Sequence, residues 1–329
     1  MPLLDLLDHP ATESSATGVS RAADSLEDSR VVVLADGSPL SLAGLSTEEL
    51  LRIQFEQEQA YARRFVESPK RSPERAAAFA AGYDTVTALF AAANGMTGVV
   101  AMGIDPRYER LVAGLLAGQR RRGITPRLFE VGYGCGTLLD RMSRRGYDIG
   151  GIEVSPAMHR QAYDTIAAEH RDKLLLGDFM ADNAPLDFGG YTLCYWNDVF
   201  EHIAPDEIGD YLARIYDLLA PGGLLVTITP NWHVRPNDVT GDYFPPRTEA
   251  RGVHLKEYTL GEVTSLLRRA GFRHVATPLF VTPRRIVRCG DGMAAIKRGC
   301  EPWLERLPFR LAKLLVRGFG LSTTIARRP

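Results

Sequence analysis

The sequence predicts an α/β protein with a doubly wound, mostly parallel sheet of seven strands and an N-terminal helical cap. From Arg127 onward, short apolar runs alternate with longer helical stretches, which is typical of a parallel sheet with right-handed crossovers. Before Arg127 the apolar residues recur mostly at helical spacing. The chain has 329 residues, 45% of them hydrophobic, so it is long enough to bury a large core.

Charge and cysteine content exclude several classes of protein. Lys and Arg total 39 against 40 Asp and Glu, so no basic surface indicates a nucleic-acid partner. The four cysteines form no CxxC pair, which argues against a zinc site and against a disulfide framework. The acidic start MPLLDLLDHP lacks the features of a signal peptide, and no apolar run approaches the roughly 18 residues of a membrane span. We therefore expect a cytoplasmic protein.

Residues 1–122 precede the predicted sheet. Residues 1–30 are rich in Ala, Ser and Asp and carry no aromatic residue, which predicts a flexible tail. Asp36-Gly37 lies between two short apolar runs and favours a hairpin turn. Ser46 and Glu49 have the spacing of a capping box ahead of an amphipathic helix. Two more helices are expected, and we predict that residues 31–122 form a hairpin and a helical cap.

Residues 123–329 are predicted to form the sheet domain. Its strands are expected at about 127–131, 149–154, 173–177, 191–196, 223–229, 274–281 and 321–327. Residues 231–258 are too long for a plain connection, so we predict an insertion on the substrate side of the domain. Residues 282–318 are predicted to be a basic helical insertion.

The segment Leu128–Leu139, LFEVGYGCGTLL, combines an apolar strand, three alternating glycines and a helix. Gly132, Gly134 and Gly136 let the backbone turn sharply and approach a ligand closely. A dinucleotide fingerprint would need its third glycine three positions after the second, where Thr137 stands. This spacing disfavours a nicotinamide cofactor without excluding an oxidoreductase.

Three acidic residues then favour a cationic ligand. Glu130 precedes the glycines, Glu153 ends the second strand, and Asp178 follows the third. The carboxyl ends of these strands meet at one crevice in a doubly wound sheet. The carboxylates would repel a pyrophosphate but attract a sulfonium and an ammonium, as in S-adenosylmethionine.

Residues 127–280 resemble a class I S-adenosylmethionine-dependent methyltransferase of the bacterial small-molecule type. The resemblance rests on several segments in order, which are the glycine loop, GIEVSP, LLLGDFM, YTLCYWNDVFEHI, PGG at 221–223 and HLKEYTLGEVTSLLRRAGF. It implies S-adenosylmethionine as the cofactor and S-adenosylhomocysteine as the product. It also implies that Glu130 lies beside the methionine moiety, that Glu153 binds the ribose hydroxyls, and that Asp178 and Phe179 contact the adenine. The expected cofactor-binding residues are Glu130, Gly132, Tyr133, Gly134, Gly136, Glu153, Val154, Asp178, Phe179, Asn197 and Asp198.

The catalytic candidates are two histidines. Methyl transfer is an in-line displacement, which needs a base only when the nucleophile keeps its proton. His202 follows the fourth strand and can take up a proton near neutral pH, although it could equally be an interior histidine bonded to backbone. His254 ends the 231–258 insertion and is the second candidate.

The sequence also narrows the acceptor. Asn197-Asp198-Val199-Phe200 lacks the Asn/Asp-Pro-Pro-aromatic pattern that the resemblance associates with methylation of nucleobases and glutamine amides. A catechol-type metal site would need a carboxylate cluster after the fourth strand, and Asp198 has no Asn-Asp or Asp-Asn pair following it, so no metal is expected. We predict a small organic acceptor, aromatic or lipid-like. For the basic insertion, packing on the domain is favoured over membrane contact. A non-catalytic S-adenosylmethionine-binding module stays open as an alternative.

Overall fold

A computed structural model describes residues 31–95, 104–282 and 285–329 of the chain. The predicted tail, residues 1–30, lies outside the described residues. The central sheet is formed by eight strands, in chain order β3 (Arg127–Val131), β4 (Asp148–Glu153), β5 (Leu174–Leu176), β6 (Tyr191–Asn197), β7 (Leu219–Ile228), β8 (Arg273–Phe280), β9 (Ile286–Cys289) and β10 (Thr323–Arg327). They lie side by side in the order β5-β4-β3-β6-β7-β10-β8-β9.

The predicted doubly wound, mostly parallel sheet is confirmed. Strands β3 to β7 pair in parallel, and β10 lies antiparallel between β7 and β8. Val131 pairs with Ile152 of β4 on one side and with Trp196 of β6 on the other, so these three strands end together. The chain order reverses at β3, where an open α/β sheet provides its ligand crevice.

The predicted number of seven strands is wrong, because β9 adds an eighth at the edge of the sheet. It pairs antiparallel with β8 and falls in the segment that we predicted to be helical. As an edge strand, β9 buries no continuous apolar face, and its central residues Val287 and Arg288 are exposed. It therefore lacks the alternation of polar and apolar residues that marks a strand in the sequence.

Helices cover both faces of the sheet. On one face lie α3 (Pro106–Arg120), α4 (Thr137–Ser143) and α5 (Pro156–Thr165), which share a hydrophobic core with β3 and β4. On the other face lie α6 (Ile208–Leu218) and α8 (Leu260–Arg269), which pack on Phe129, Trp196 and Phe272. Because α3 packs in the core of the sheet, it adjoins this domain closely, and the predicted boundary after residue 122 stays a prediction.

The N-terminal segment forms a hairpin of β1 (Val31–Val33) and β2 (Pro39–Ser41), followed by α1 (Thr47–Glu67) and α2 (Pro73–Ala93). The predicted capping box of Ser46 and Glu49 is present at the start of α1. Helices α1 and α2 approach closely at Gly82, where a Cβ atom would lie 2.9 Å from Phe65 Cζ. Of the described helices, α2 alone passes the length and hydropathy test for a membrane span; here it packs against α1.

The two insertions contain short helices. The 231–258 insertion includes a 3₁₀ turn at Trp232–Val234 and α7 (Thr240–Tyr243). The C-terminal insertion includes α9 (Asp291–Cys300), a 3₁₀ segment at Glu301–Arg306 and α10 (Phe309–Phe319). Pro308 precedes α10 at its N-cap, where a proline breaks no helical hydrogen bond. Helix α10 buries Ala312 and Val316, whereas its leucines Leu311 and Leu314 are exposed.

Candidate functional site

A largely apolar crevice lies at the carboxyl ends of the parallel strands. The strand ends contribute Gly132, Val154, Asp178 and Phe179, and the turn after β6 contributes His202. These five residues come from four separate segments, and all five were predicted as site residues. The opposite wall is formed by α2 and by the start of α6.

The glycine loop holds the chain tightly against β4 and β6. The Gly132 amide donates a hydrogen bond to the Ile152 carbonyl at 2.8 Å. All three glycines have positive φ, and a Cβ atom at Gly132 would lie 2.6 Å from Val199 Cγ2. Gly136 is the N-cap residue of α4 and faces Ala162 and Ile166, so it serves the packing of the loop on α5.

Glu153 ends β4 beside this loop. Its Oε2 accepts a hydrogen bond from the Gly134 amide at 2.8 Å, and its Oε1 accepts one from the Ser155 amide at 2.9 Å. Burial raises the pKa of Glu153, and the amide hydrogen bonds oppose this shift. Two backbone donors thus fix the carboxylate at the position from which it could bind a diol.

Glu130 is the second buried carboxyl group, and its Oε2 has no hydrogen-bond partner among the described residues. Burial raises the pKa of Glu130 well above its ordinary value, and the charge of Glu153 adds to the shift. Glu130 itself does not line the crevice, but the next two residues, Val131 and Gly132, do. A buried carboxylate oxygen without a partner is unfavourable, so a cation bound beside these residues would stabilise the ionised form of Glu130. This environment fits a cofactor with an ammonium and a sulfonium.

The residues after β5 fit a flat apolar ring. Asp178 Oδ1 accepts a hydrogen bond from the Met180 amide at 2.9 Å, and burial raises the pKa of Asp178. Phe179 lines the crevice while also packing on Phe129 and Tyr211, so it belongs to the core as well. Val154 lines the same crevice, and the adenine contact expected of Asp178 and Phe179 stays a prediction.

The Tyr133 side chain, which we predicted to bind the cofactor, makes its polar contacts with other parts of the protein. Its hydroxyl hydrogen-bonds His159 Nδ1 and donates to the Leu175 carbonyl at 3.0 Å. The ring is buried among the helices on that face of the sheet. A contact with a cofactor would therefore use the backbone of Tyr133, and the residue's role stays a prediction.

Asn197 and Asp198 end β6, and Asn197 Nδ2 donates to Asp198 Oδ2 at 2.7 Å. Asp198 has a φ of 52°, a strained value for a residue other than glycine. Asn197 Oδ1 is buried without a hydrogen-bond partner among the described residues. Strain and an unsatisfied acceptor at one turn are typical of a functional site.

Helix α2 closes the crevice through contacts on both of its sides. Arg75 forms a buried ion pair with Glu207 at the start of α6, and exposed Arg71 pairs with Asp210 at 2.8 Å. On the β4 side, Ser155 Oγ donates to the Asp84 carboxylate. Sequence reasoning placed a cap here but named none of these residues, because ion pairs across more than 60 positions leave no local pattern in the sequence.

Two histidines and a glutamate meet beneath α2. His202 and His254 have ring centroids 4.8 Å apart, and Tyr83 of α2 contacts the His202 ring edge-on at 5.4 Å. His254 Nε2 lies 3.9 Å from Glu201 Oε1. The 231–258 insertion therefore brings His254 into contact with His202, so the two catalytic candidates lie side by side.

Each imidazole is oriented by an acceptor on its Nδ1. His202 Nδ1 lies 3.0 Å from the Val253 carbonyl, and His254 Nδ1 lies 3.0 Å from Glu257 Oε1. Glu257 was missed in the sequence, although its spacing of three residues from His254 is visible there. In both rings this arrangement leaves Nε2 as the nitrogen available for a further contact.

The pKa values of the titratable groups in this cluster differ strongly from their ordinary values. Burial, together with the charge of His254, lowers the pKa of His202 to about 3, so its ring is neutral at pH 7. Burial also lowers the pKa of His254, but the hydrogen bond that its Nδ1 donates to Glu257 and the charge of Glu201 outweigh burial and raise this pKa to about 9. Burial raises the pKa of Glu201 to about 8. Shifts of this size cluster at functional sites.

The aromatic residues of the insertion pack it in place. Tyr243 stacks on Phe55 of α1 with centroids 4.6 Å apart, and Tyr258 packs on Phe200 at 4.8 Å. His233 lies 3.1 Å from Glu305 in the C-terminal insertion. Of the two histidines of the insertion, His254 is thus the one that contacts the His202 cluster.

The strand order, the glycine loop after β3 and the acids along the crevice define a Rossmann-like protein that binds a nucleoside cofactor. Comparison with known proteins narrows this class. Residues 99–277, more than half of the chain, match a family described as a methyltransferase domain. The chain belongs to the class I S-adenosylmethionine-dependent methyltransferases, which confirms the predicted family and cofactor.

Individual relatives are distant. An uncharacterized methyltransferase of Geobacillus kaustophilus (strain HTA426) is 31% identical over 102 residues, which cover 30% of this chain and 44% of the relative. The matched segment thus spans less than half of that relative's length. An S-adenosylmethionine-dependent methyltransferase of Archaeoglobus fulgidus has a TM-score of 0.42 and 15% identity, covering 67% of this chain and 94% of that one. Phosphoethanolamine N-methyltransferase 2 of Haemonchus contortus has a TM-score of 0.39 and 16% identity, and the match covers 66% of this chain and 53% of that one.

Proposed function

We propose that the protein transfers the methyl group of S-adenosylmethionine to a small organic acceptor. The observation that carries this proposal is that His202 lines the same crevice as Gly132, Val154 and Asp178. A polar cluster suited to an acceptor therefore adjoins the residues suited to the cofactor. The cofactor supplies a methyl group on a cationic sulfur, and the acceptor supplies the nucleophile.

The residues of the chain would bind and orient this cofactor. Glu153 would accept hydrogen bonds from the ribose hydroxyls, and Asp178 would accept one from the adenine amino group. The buried carboxyl of Glu130 would stabilise the positive charge of the methionine moiety. Gly132 and Gly134 leave the space in which the backbone approaches the ligand.

The acceptor side supports a small substrate. Helix α2 and the turn after β6 line the crevice, and the 231–258 insertion brings His254 against His202 of that lining. Neutral His202 would accept a proton or hydrogen bond from the acceptor at Nε2, and His254 would orient the acceptor beside it. Aromatic and lipid-like acceptors remain the proposed classes, in a cytoplasmic protein without a nucleic-acid partner.

The test begins with the cofactor and then turns to transfer. S-adenosylhomocysteine should bind the purified protein in a calorimetric titration, whereas NADH should not. The protein should then release S-adenosylhomocysteine from S-adenosylmethionine in the presence of one member of a panel of phenols, carboxylates and amines. Cofactor binding without transfer to any panel member would favour the non-catalytic module instead.

A further inference from the structure

The cluster beneath α2 has the composition of a metal site. Glu201, His202 and His254 each offer one ligand atom, and these atoms all lie within 4.8 Å of one another. Ligands of one tetrahedral ion lie about 3.4 Å apart when each bond is about 2.1 Å, so binding an ion would draw the most distant ligand atoms of the set together by about 1 Å. We propose that these three residues bind a divalent transition-metal ion at the acceptor side of the crevice.

The contacts around the cluster are those that orient metal ligands. Metal-binding histidines almost always donate their second ring nitrogen to a carbonyl or carboxylate. His202 has the Val253 carbonyl at this position and His254 has Glu257, each at 3.0 Å. Glu201 Oε2 accepts a hydrogen bond from Thr229 Oγ1 at 2.9 Å, so the third ligand is oriented as well.

The atom aimed into the cluster lacks a partner of its own. Glu201 is fully buried, and its Oε1 has no hydrogen-bond partner among the described residues. The nearest cation is His254 Nε2 at 3.9 Å, which is too far for a hydrogen bond. A bound ion would satisfy this oxygen and both Nε2 atoms at once. His202 Nε2 would then bind the ion, and the ion rather than His202 would contact the acceptor.

The ligand types select the ion. Two imidazoles with one carboxylate suit zinc, iron, cobalt or nickel, whereas magnesium prefers oxygen ligands. Three protein ligands also leave positions open on the ion, as in catalytic rather than structural sites. Because His202 lines the crevice, the open positions would face the acceptor. This favours an acceptor that binds the ion through an oxygen atom, such as a hydroxyl compound.

The expectation of no metal was drawn from too short a stretch of sequence. It considered carboxylate pairs directly after β6, but the set includes His254, which lies 52 positions beyond His202. The inference goes beyond the proposed function, because ion binding is measured without any transfer reaction.

The test is a titration of untagged, chelator-treated full-length protein with Co²⁺, followed by visible absorption. We expect one equivalent to bind with ligand-field bands of a nitrogen and oxygen site, and to be displaced by Zn²⁺. Glu201→Gln and His254→Ala should each weaken binding at least tenfold. Glu257→Gln, which alters only the orientation of His254, should weaken it by about 10- to 100-fold.

The matched control is His274→Ala. His274 forms an exposed pair with Asp291 at 3.0 Å, far from the crevice, so this variant should bind Co²⁺ like the original protein. S-adenosylhomocysteine affinity, measured on every variant, shows whether the site is folded and tests the proposed function separately. Absence of stoichiometric Co²⁺ binding, or binding that the Glu201 and His254 variants leave unchanged, would overturn the metal site even if the cofactor binds normally.

Discussion

Three buried carboxyl groups are sequence neighbours of residues that line the crevice. Glu130, Glu153 and Glu201 are each at most 6% exposed, and their pKa values are all raised by burial. Burying acids is unfavourable unless each has a partner. Only Glu153 has backbone donors on both oxygens. Within the part of the chain that the structure describes, the other two each have one oxygen without a hydrogen-bond partner, which indicates that ligands complete their environment.

Replacement of Glu153 by Ala should weaken cofactor binding strongly. Two charge-assisted hydrogen bonds to the ribose would be lost, each contributing about 1.5–3 kcal/mol, so the Kd for S-adenosylhomocysteine should rise roughly 100-fold or more. Isothermal titration calorimetry measures this change. Asp164→Ala, which removes an exposed carboxylate from α5, is the control and should leave the Kd unchanged. An unaltered Kd in Glu153→Ala would refute the assignment of this residue.

Glu58 of α1 should make stability depend on pH. It accepts a hydrogen bond from the Val253 amide at 3.3 Å, and burial raises its pKa to about 7. Below pH 4.5 the carboxyl is protonated in both the folded and the unfolded state, so its raised pKa does not affect stability. As the pH rises from 4.5 to 7, the unfolded state loses this proton first, and the free energy of unfolding falls. Glu58→Gln should therefore gain up to about 3 kcal/mol in unfolding free energy relative to the original protein between pH 4.5 and 8. Urea unfolding at both pH values would show this, and a constant difference would contradict the assignment.

At the scale of the element, α2 is the part that joins the cap to the crevice. Its residues Arg75, Phe79 and Tyr83 line the crevice, while its opposite side packs on α1. The helix has the apolar composition of a core element but serves as a wall. A helix held by a few specific contacts rather than by the central core is a candidate for opening and closing.

The Arg75–Glu207 ion pair should control that opening. Both side chains are at least 90% buried, so Glu207→Gln leaves an uncompensated charge and should destabilise the closed position by about 3–5 kcal/mol. Hydrogen exchange of the α2 amides should accelerate, and S-adenosylhomocysteine should dissociate faster. Glu56→Gln removes the partner of Arg52 in an exposed pair on α1 and should change neither rate, since such pairs contribute at most about 1 kcal/mol. Equal exchange rates in the two variants would contradict this role.

At the scale of the whole molecule, cofactor binding should stabilise the cap together with the sheet domain. A ligand present at about 100 times its Kd adds about 2.7 kcal/mol to the unfolding free energy. Calorimetry with S-adenosylhomocysteine should show one transition that moves to higher temperature in the original protein and stays in place in Glu153→Ala. Two transitions, with only the later one moving, would show that the cap does not contact the bound ligand.

The sequence predicts the sheet well because its signals are local. The seven predicted strands are all present, and the predicted capping box of Ser46 and Glu49 starts α1. Strand β9 was not predicted, because an edge strand buries no regular apolar face and so shows no alternating pattern in the sequence. The sequence could not predict two contacts that only tertiary packing creates. These are the contact of His202 with His254 and the ion pair of Arg75 with Glu207. The glycine loop and acids were found because strand order places them at one edge.

The contacts of α2 on both sides of the crevice bear on the timing of a catalytic cycle. The helix is bonded to Ser155 near the cofactor end and to Glu207 at the far wall, so it covers both compartments together. Spent cofactor and methylated product would then share one exit, available only while these bonds are broken. Release rather than methyl transfer would then set the turnover rate, and added salt would change that rate little, because the Arg75–Glu207 pair is buried and therefore weakly screened.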